Sequence, residues 1–97
     1  MKSEQIIEKL TDNMSVFRKF GIIRIGLFGS GARNEITDTS DLDILIEFSP
    51  GKKSFDNYMD AKIFLEDLFL LKIDLVIMEN IKPILKENIL KEVIYAA

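Results

Sequence analysis

Apolar residues at Ile6, Ile7, Leu10, Met14, Phe17 and Phe20 keep helical spacing, which predicts one amphipathic helix over residues 4–20, with Ser3 as N-cap and Gly21 as its stop. The pattern then changes. Ile22–Phe28, "IIRIGLF", is short, rich in β-branched residues and bounded by glycines, so it reads as a strand, and "ARNEI" reads as a brief helix opening at Ser30. "DLDILIEF" alternates, with Leu42, Ile44, Ile46 and Phe48 on one face of a second strand. After the loop "SPGKKS", Ser54 can cap a helix over 55–70 whose stripe is Phe55, Tyr58, Met59, Phe64, Leu65, Leu68 and Phe69. "KIDLVIM" is a third strand with Ile73, Leu75 and Ile77 on one face, and helical spacing returns from Ile81 to Tyr95. The expected order is α-β-α-β-α-β-α, an α/β (α+β) fold without internal repeat or linker, so residues 1–97 are expected to act as one domain.

Composition narrows the function classes. The chain is 47% apolar and 30% charged, ordinary for a globular protein, and its basic residues are scattered at a net charge of −3, so no broad phosphate-binding face for long nucleic acid is expected. The start has no signal-peptide pattern, and no apolar run approaches the ~20 residues of a membrane span, so an intracellular, cytoplasmic protein is expected. Without cysteine or histidine, thiolate sites, imidazole zinc sites and imidazole bases are excluded. Chemistry must run on carboxylates, hydroxyls, Lys and Arg.

Within the apolar run of the second strand stand Asp41 and Asp43. A buried carboxylate needs a cation, a partner or water. Side chains two apart on a strand share a face, so both point away from Leu42, Ile44 and Ile46 and can reach one cation. Asp74 lies opposite the apolar set of strand three, and if those strands are neighbours three carboxylates converge. Two such charges ~6 Å apart repel by about 3 kcal/mol at an effective dielectric of 20. Bound cation removes that repulsion, and oxygen-only ligands suit Mg²⁺ or Mn²⁺ and metal-assisted phosphoryl transfer.

The preceding turn supplies what a nucleotide needs besides metal. Gly29 lets backbone approach a phosphate, Ser30 offers a hydroxyl, and the N–H groups opening a short helix attract anionic oxygens. Arg33, one turn on, can contact a phosphate or pair with Glu35 or Asp38. Other motifs fail: "GLFGSGAR" puts Ala32 and Arg33 where a P-loop has Lys and Ser or Thr, "GSGARN" lacks the third glycine of a dinucleotide fingerprint, and "DLDIL" puts Leu45 at a calcium-ligand position.

Together "GSGAR", "SDLDILIEF" and "KIDLVIM" resemble the signature of the nucleotidyltransferase superfamily related to DNA polymerase beta, and more narrowly the minimal nucleotidyltransferase (MNT) domain, over nearly the whole chain. The resemblance implies a nucleotidyltransferase-like palm with a small mixed β-sheet. It implies Asp41, Asp43 and Asp74 as metal-binding and catalytic acids, the third assisting the attacking hydroxyl, and Gly29 and Ser30 as the phosphate turn, with ATP as nucleotide substrate. Such minimal domains are often antitoxin partners of HEPN-domain toxins, helical ribonucleases, so it further implies a partner whose tyrosine hydroxyl receives AMP. Larger relatives grip base or acceptor with an additional domain, and here a second chain is expected to supply that wall.

Two other readings stay open: a non-catalytic nucleotide-binding antitoxin acting by complex formation, and a small-molecule nucleotidyltransferase of the aminoglycoside type. Asp38, Glu47, Glu66 and Asp67 read as solvated charges, and the Phe and Met residues at helical spacing as core rather than a base-stacking platform.

Overall fold

The computed structural model describes all residues, Met1–Ala97. Its elements are α1 (Ser3–Asp12), α2 (Met14–Lys19), β1 (Ile22–Phe28), α3 (Gly29–Ala32), β2 (Leu42–Phe48), α4 (Phe55–Phe69), β3 (Ile73–Ile77), a 3₁₀ turn (Met78–Asn80), α5 (Pro83–Glu92) and β4 (Ile94–Tyr95). The sheet order is β3-β2-β1-β4. β2 and β3 run parallel, and β1 is antiparallel to both β2 and β4.

The first helix is not continuous as its spacing suggests. It breaks at Asn13, whose φ of −111° and ψ of 15° leave the helical well while its side-chain amide donates to the Lys9 carbonyl at 2.8 Å. A side chain that bonds nearby backbone competes with the helical ladder, and an apolar period cannot reveal it. Ser3 is not the cap either. Lys2 holds that position, its N–H bonded to Gln5 Oε1 at 2.8 Å, while Ser3 is buried and donates its own N–H to Asn34 Oδ1 at 2.7 Å. Ser54 does cap α4, accepting from the Asn57 N–H at 3.1 Å.

One face of the sheet carries the core. Ile25, Leu27, Leu42, Ile44, Ile46, Ile73 and Leu75 meet Ile6 and Leu10 of α1, Phe17 of α2, and Ala61, Leu65 and Phe69 of α4. Each fully buried Ile, Leu or Phe contributes roughly 1.5–3 kcal/mol. Phe64 packs edge-on to Phe17 at 5.6 Å, tying α4 to α2. Phe55, by contrast, is 77% exposed, so the apolar stripe of α4 starts one turn later than its sequence suggests.

The chain ends differently from the expected helix over 81–95. Pro83 opens α5 at its first turn, Val93 leaves the helix with extended ψ of 136°, and Ile94 and Tyr95 pair with Leu27 and Gly26 as β4. The Ala96 N–H extends this pairing to the Ile25 carbonyl at 2.9 Å. A two-residue strand is too short to show alternation, and its residues fall in helical phase with those before them. Gly26 makes room for it, since a Cβ there would stand 2.7 Å from Val93 Cγ2 and 3.0 Å from Tyr95 Cδ1. No helix is long and apolar enough to cross a membrane.

Candidate active site

The sheet face opposite the core carries the acids. Asp43 pairs in register with Asp74 across the parallel β2–β3 ladder, and with Phe28 across the antiparallel β1–β2 ladder. Register partners project to the same side, so Asp43 and Asp74 are brought together. Asp43 is half-buried and Asp74 is exposed. Asp41 precedes the first residue of β2, Leu42, and is exposed, so strand alternation does not fix its direction. It reaches Asp43 through its charge. No three Asp or Glu side chains close into a ligand cage by themselves, and Asp41 and Asp74 each act on Asp43 through their charge.

The electrostatics follow from this crowding. Burial, the Asp74 charge, a proton shared with Asp74 and the charges of Asp41 and Glu92 together raise the Asp43 carboxyl from 3.8 to about 6. Burial contributes most. Glu47, on the same face, instead lies 3.8 Å from Arg24, a half-exposed pair that stabilises little.

β1 delivers the chain to the turn beside Asp43. Gly29 has φ of 67°, and a Cβ at this position would collide with Asp43 Oδ2, so both its left-handed backbone and its contact with the acid demand glycine. Gly31 is buried, and a Cβ there would meet Leu27 Cδ1 at 2.8 Å and Leu42 Cδ1 at 3.0 Å, which seats the turn on the core. Ser30 is half-buried and its carbonyl accepts from the Glu35 N–H at 2.8 Å. The short helix spans Gly29–Ala32: it opens one residue before Ser30 and ends at Ala32, so Arg33 to Ile36 of "ARNEI" lie outside it, with Asn34 in the left-handed region at φ of 58°.

Arg33 is engaged with acids. Its Nε donates to Glu35 Oε1 at 2.6 Å and its Nη1 to Glu92 Oε2 at 2.9 Å, bonds that hold its proton more tightly still and push its pKa up. Glu35 is one of the partners the sequence offers; Asp38 is not used. Glu92 is the residue that sequence reasoning missed. It lies 63 positions from Gly29, whose N–H donates to Glu92 Oε1 at 2.9 Å, and no local spacing could announce that contact.

The acids and the Gly-Ser turn line none of the molecule's concavities. The largest cleft, about 640 Å³, runs between the start of α4 and β3, with Phe55, Tyr58, Leu75 and Ile77 among its walls. There the Tyr58 hydroxyl donates to the Leu75 carbonyl at 2.7 Å, and burial, then the Asp74 charge, push its pKa up.

The four-stranded mixed sheet, with two acids in parallel register beside a glycine turn, is the small palm that the resemblance to nucleotidyltransferases implies. The chain belongs to the nucleotidyltransferase domain family, whose model matches residues 7–96. It is 36% identical over 93 residues to the protein adenylyltransferase MntA of Thermococcus cleftensis, an alignment covering 95% of this chain and 93% of that one. A Methanocaldococcus jannaschii protein provisionally named a protein adenylyltransferase is 40% identical over 79 residues, 81% of this chain and 84% of its own. Among solved structures, one provisionally described as a minimal nucleotidyltransferase superposes with a TM-score of 0.83 at 32% identity, covering 97% of this chain and 95% of that one. A chain in the crystal structure of a toxin-antitoxin with AMP-PNP shares the fold, with a TM-score of 0.70 at 20% identity over 100% of this chain and 73% of that one.

Proposed function

We propose that this protein is a metal-dependent adenylyltransferase that transfers AMP from ATP to a tyrosine hydroxyl of a cognate HEPN toxin in the cytoplasm, and so acts as antitoxin. The carrying observation is the contact of Asp43 with both Asp74 and Gly29. It sets acids that can hold a cation beside a backbone that can hold phosphate. The names of the Thermococcus and Methanocaldococcus relatives support the transfer to protein, and the complex with AMP-PNP supports a nucleotide and a toxin partner.

Asp43 and Asp74, with Asp41 at the strand entrance, would hold Mg²⁺ or Mn²⁺. The donor set fits: Mg²⁺ is commonly held by one or two carboxylates plus substrate phosphates rather than by an all-protein cage. When bound, the ion neutralises the crowded carboxylates and the charge that develops on the phosphate oxygens. The chain's own residues do the rest. The turn at Gly29 and Ser30, with Arg33, orients the triphosphate. Asp74, the most open of the register pair, takes the proton of the acceptor hydroxyl as its oxygen bonds to the α-phosphorus. The bond to the β-phosphate bridging oxygen breaks, and pyrophosphate leaves with that electron pair. An acceptor approaching this open face brings the wall that excludes water.

The test is to incubate the protein with ATP, Mg²⁺ and its cognate toxin, and to weigh the toxin by mass spectrometry. The expected result is a gain of one AMP per modified tyrosine, reduced at least ~100-fold by Asp41→Asn, Asp43→Asn or Asp74→Asn. Asp41 is exposed and outside the strand, so its variant keeps the wild-type melting temperature and isolates chemistry from folding. Full protection of cells by the Asp41→Asn, Asp43→Asn double variant overturns catalysis in favour of occlusion.

A further inference from the structure

Glu92 is the last residue of α5, and its carboxylate makes two bonds with the turn: one oxygen accepts from the Gly29 N–H, the other from Arg33, each at 2.9 Å. Its place is set from behind by β4, because Val93 turns the chain into the pairing of Ile94 and Tyr95 with Leu27 and Gly26. The rest of α5 contributes little hold. The helix buries none of its residues, and Ile84 and Leu85 are 82% and 51% exposed. An anionic carboxylate thus sits on a backbone N–H and a guanidinium, the two kinds of donor that recognise phosphate oxygens.

We propose that Glu92 is an internal latch that occupies the Gly29 N–H and Arg33 in place of a phosphate, so that a nucleotide enters only by displacing it. This rests on the reading of Gly29 and Arg33 as the nucleotide site. The geometry also states what can displace it. Asp43 stands against Gly29, with Asp74 its register partner and Asp41 two residues before it, so a bare polyphosphate at the turn is repelled, whereas one carrying a divalent cation answers those charges and offers two oxygens to the vacated donors. The ligand selected is a metal-bound nucleoside triphosphate rather than a free phosphate monoester. Displacement releases the C-terminal end of α5 from the turn, which links occupancy of the site to the position of this exposed helix.

The latch lowers apparent affinity by the fraction of time the site is open. Removing it by Glu92→Ala is expected to tighten ATP binding in Mg²⁺ by about tenfold in calorimetry, the factor for a site open roughly a tenth of the time. Glu92→Gln keeps an oxygen for the Gly29 N–H but loses the ion pair, and is expected to fall between wild type and Glu92→Ala. Glu35→Ala removes an equal charge from Arg33 without freeing the N–H, and is expected to gain less than threefold, roughly what a screened surface ion pair is worth. In wild type, adding ATP with Mg²⁺ should move the ¹³C resonance of the Glu92 carboxyl and the amide resonance of Gly29 together. Equal or weaker binding by Glu92→Ala, an equal gain in Glu35→Ala, or an unmoved Glu92 carboxyl at saturation overturns the latch while leaving the nucleotide site standing. Should Glu92→Ala fail to fold, Glu92→Gln and the wild-type resonances decide the matter. Absence of binding by wild type and variants alike overturns both readings.

Discussion

Asp43 and Asp74 face each other as register partners on adjacent parallel strands, one half-buried and the other exposed. Backbone pairing keeps their Cα atoms neighbours for as long as the ladder stands. Their repulsion is therefore built into the folded state and absent from the unfolded one.

The pH dependence of stability follows. Burial and the neighbouring Asp74 raise Asp43 from 3.8 in its ordinary state to about 6 in the fold, so the folded protein binds the proton more tightly. That contribution is fully present below about 4 and is lost as pH rises through about 6. In chelator, the protein is expected to melt a few degrees higher at pH 5 than at pH 7.5, about 1 kcal/mol after allowance for solvent screening at a half-buried group. Asp43→Asn removes the difference and raises the melting point at pH 7.5; Mg²⁺ added to wild type does likewise. Scanning calorimetry at the two pH values checks it, and a wild type less stable at pH 5 contradicts the assignment to Asp43.

Gly29→Ala tests the turn. The left-handed φ of 67° costs an alanine about 1–2 kcal/mol, and its methyl must also push Asp43 aside. The variant is expected to melt about 5–15 °C lower and to lose transfer activity beyond what its unfolded fraction accounts for. Denaturant melts run beside the transfer assay separate the two effects.

Tyr58→Phe tests the cleft wall beside β3. The hydroxyl bond to the Leu75 carbonyl is worth about 0.5–1.5 kcal/mol, and an edge carbonyl freed of it can turn to water. A melting point lower by about 3–8 °C with transfer retained is expected. A loss of transfer at full stability would instead bring the cleft into the reaction.

Strands whose alternation was long enough were legible from sequence. Leu42, Ile44 and Ile46 lie on the core face as their spacing indicates, and that alternation placed Asp43 and Asp74 on the other side. Short-range punctuation was legible where the side chain acts locally, as at Ser54. What escaped depends on distant partners or on competition within a turn. The Asn13 amide takes a backbone carbonyl from the helix it interrupts, and Asp41 falls just outside the strand whose period it shares. Leu45, on the acid face, is buried between Gly26 and Val76, so apolar character on both faces of β2 hid a core position among the acids. The Glu92 contact with Gly29 exists only because β4 folds the chain end back onto β1.

Gly26 is where that return can be weakened without touching the acids. An added methyl would stand 2.7 Å from Val93 Cγ2, 3.0 Å from Tyr95 Cδ1 and 3.1 Å from the Ile94 carbonyl. The two side chains can rotate, but the carbonyl belongs to the pairing itself, so β4 must shift outward by a few tenths of an ångström. Gly26→Ala is therefore expected to reduce stability by about 1–2 kcal/mol. The damage should be local. The Ala96 N–H, bonded to the Ile25 carbonyl, should exchange with solvent at least tenfold faster, while amides of the β1–β2 ladder keep protection in proportion to global stability alone. Uniform loss of protection across both ladders would mean that β4 and the central sheet unfold as one unit, and that the chain end is a structural strand rather than an adjustable one.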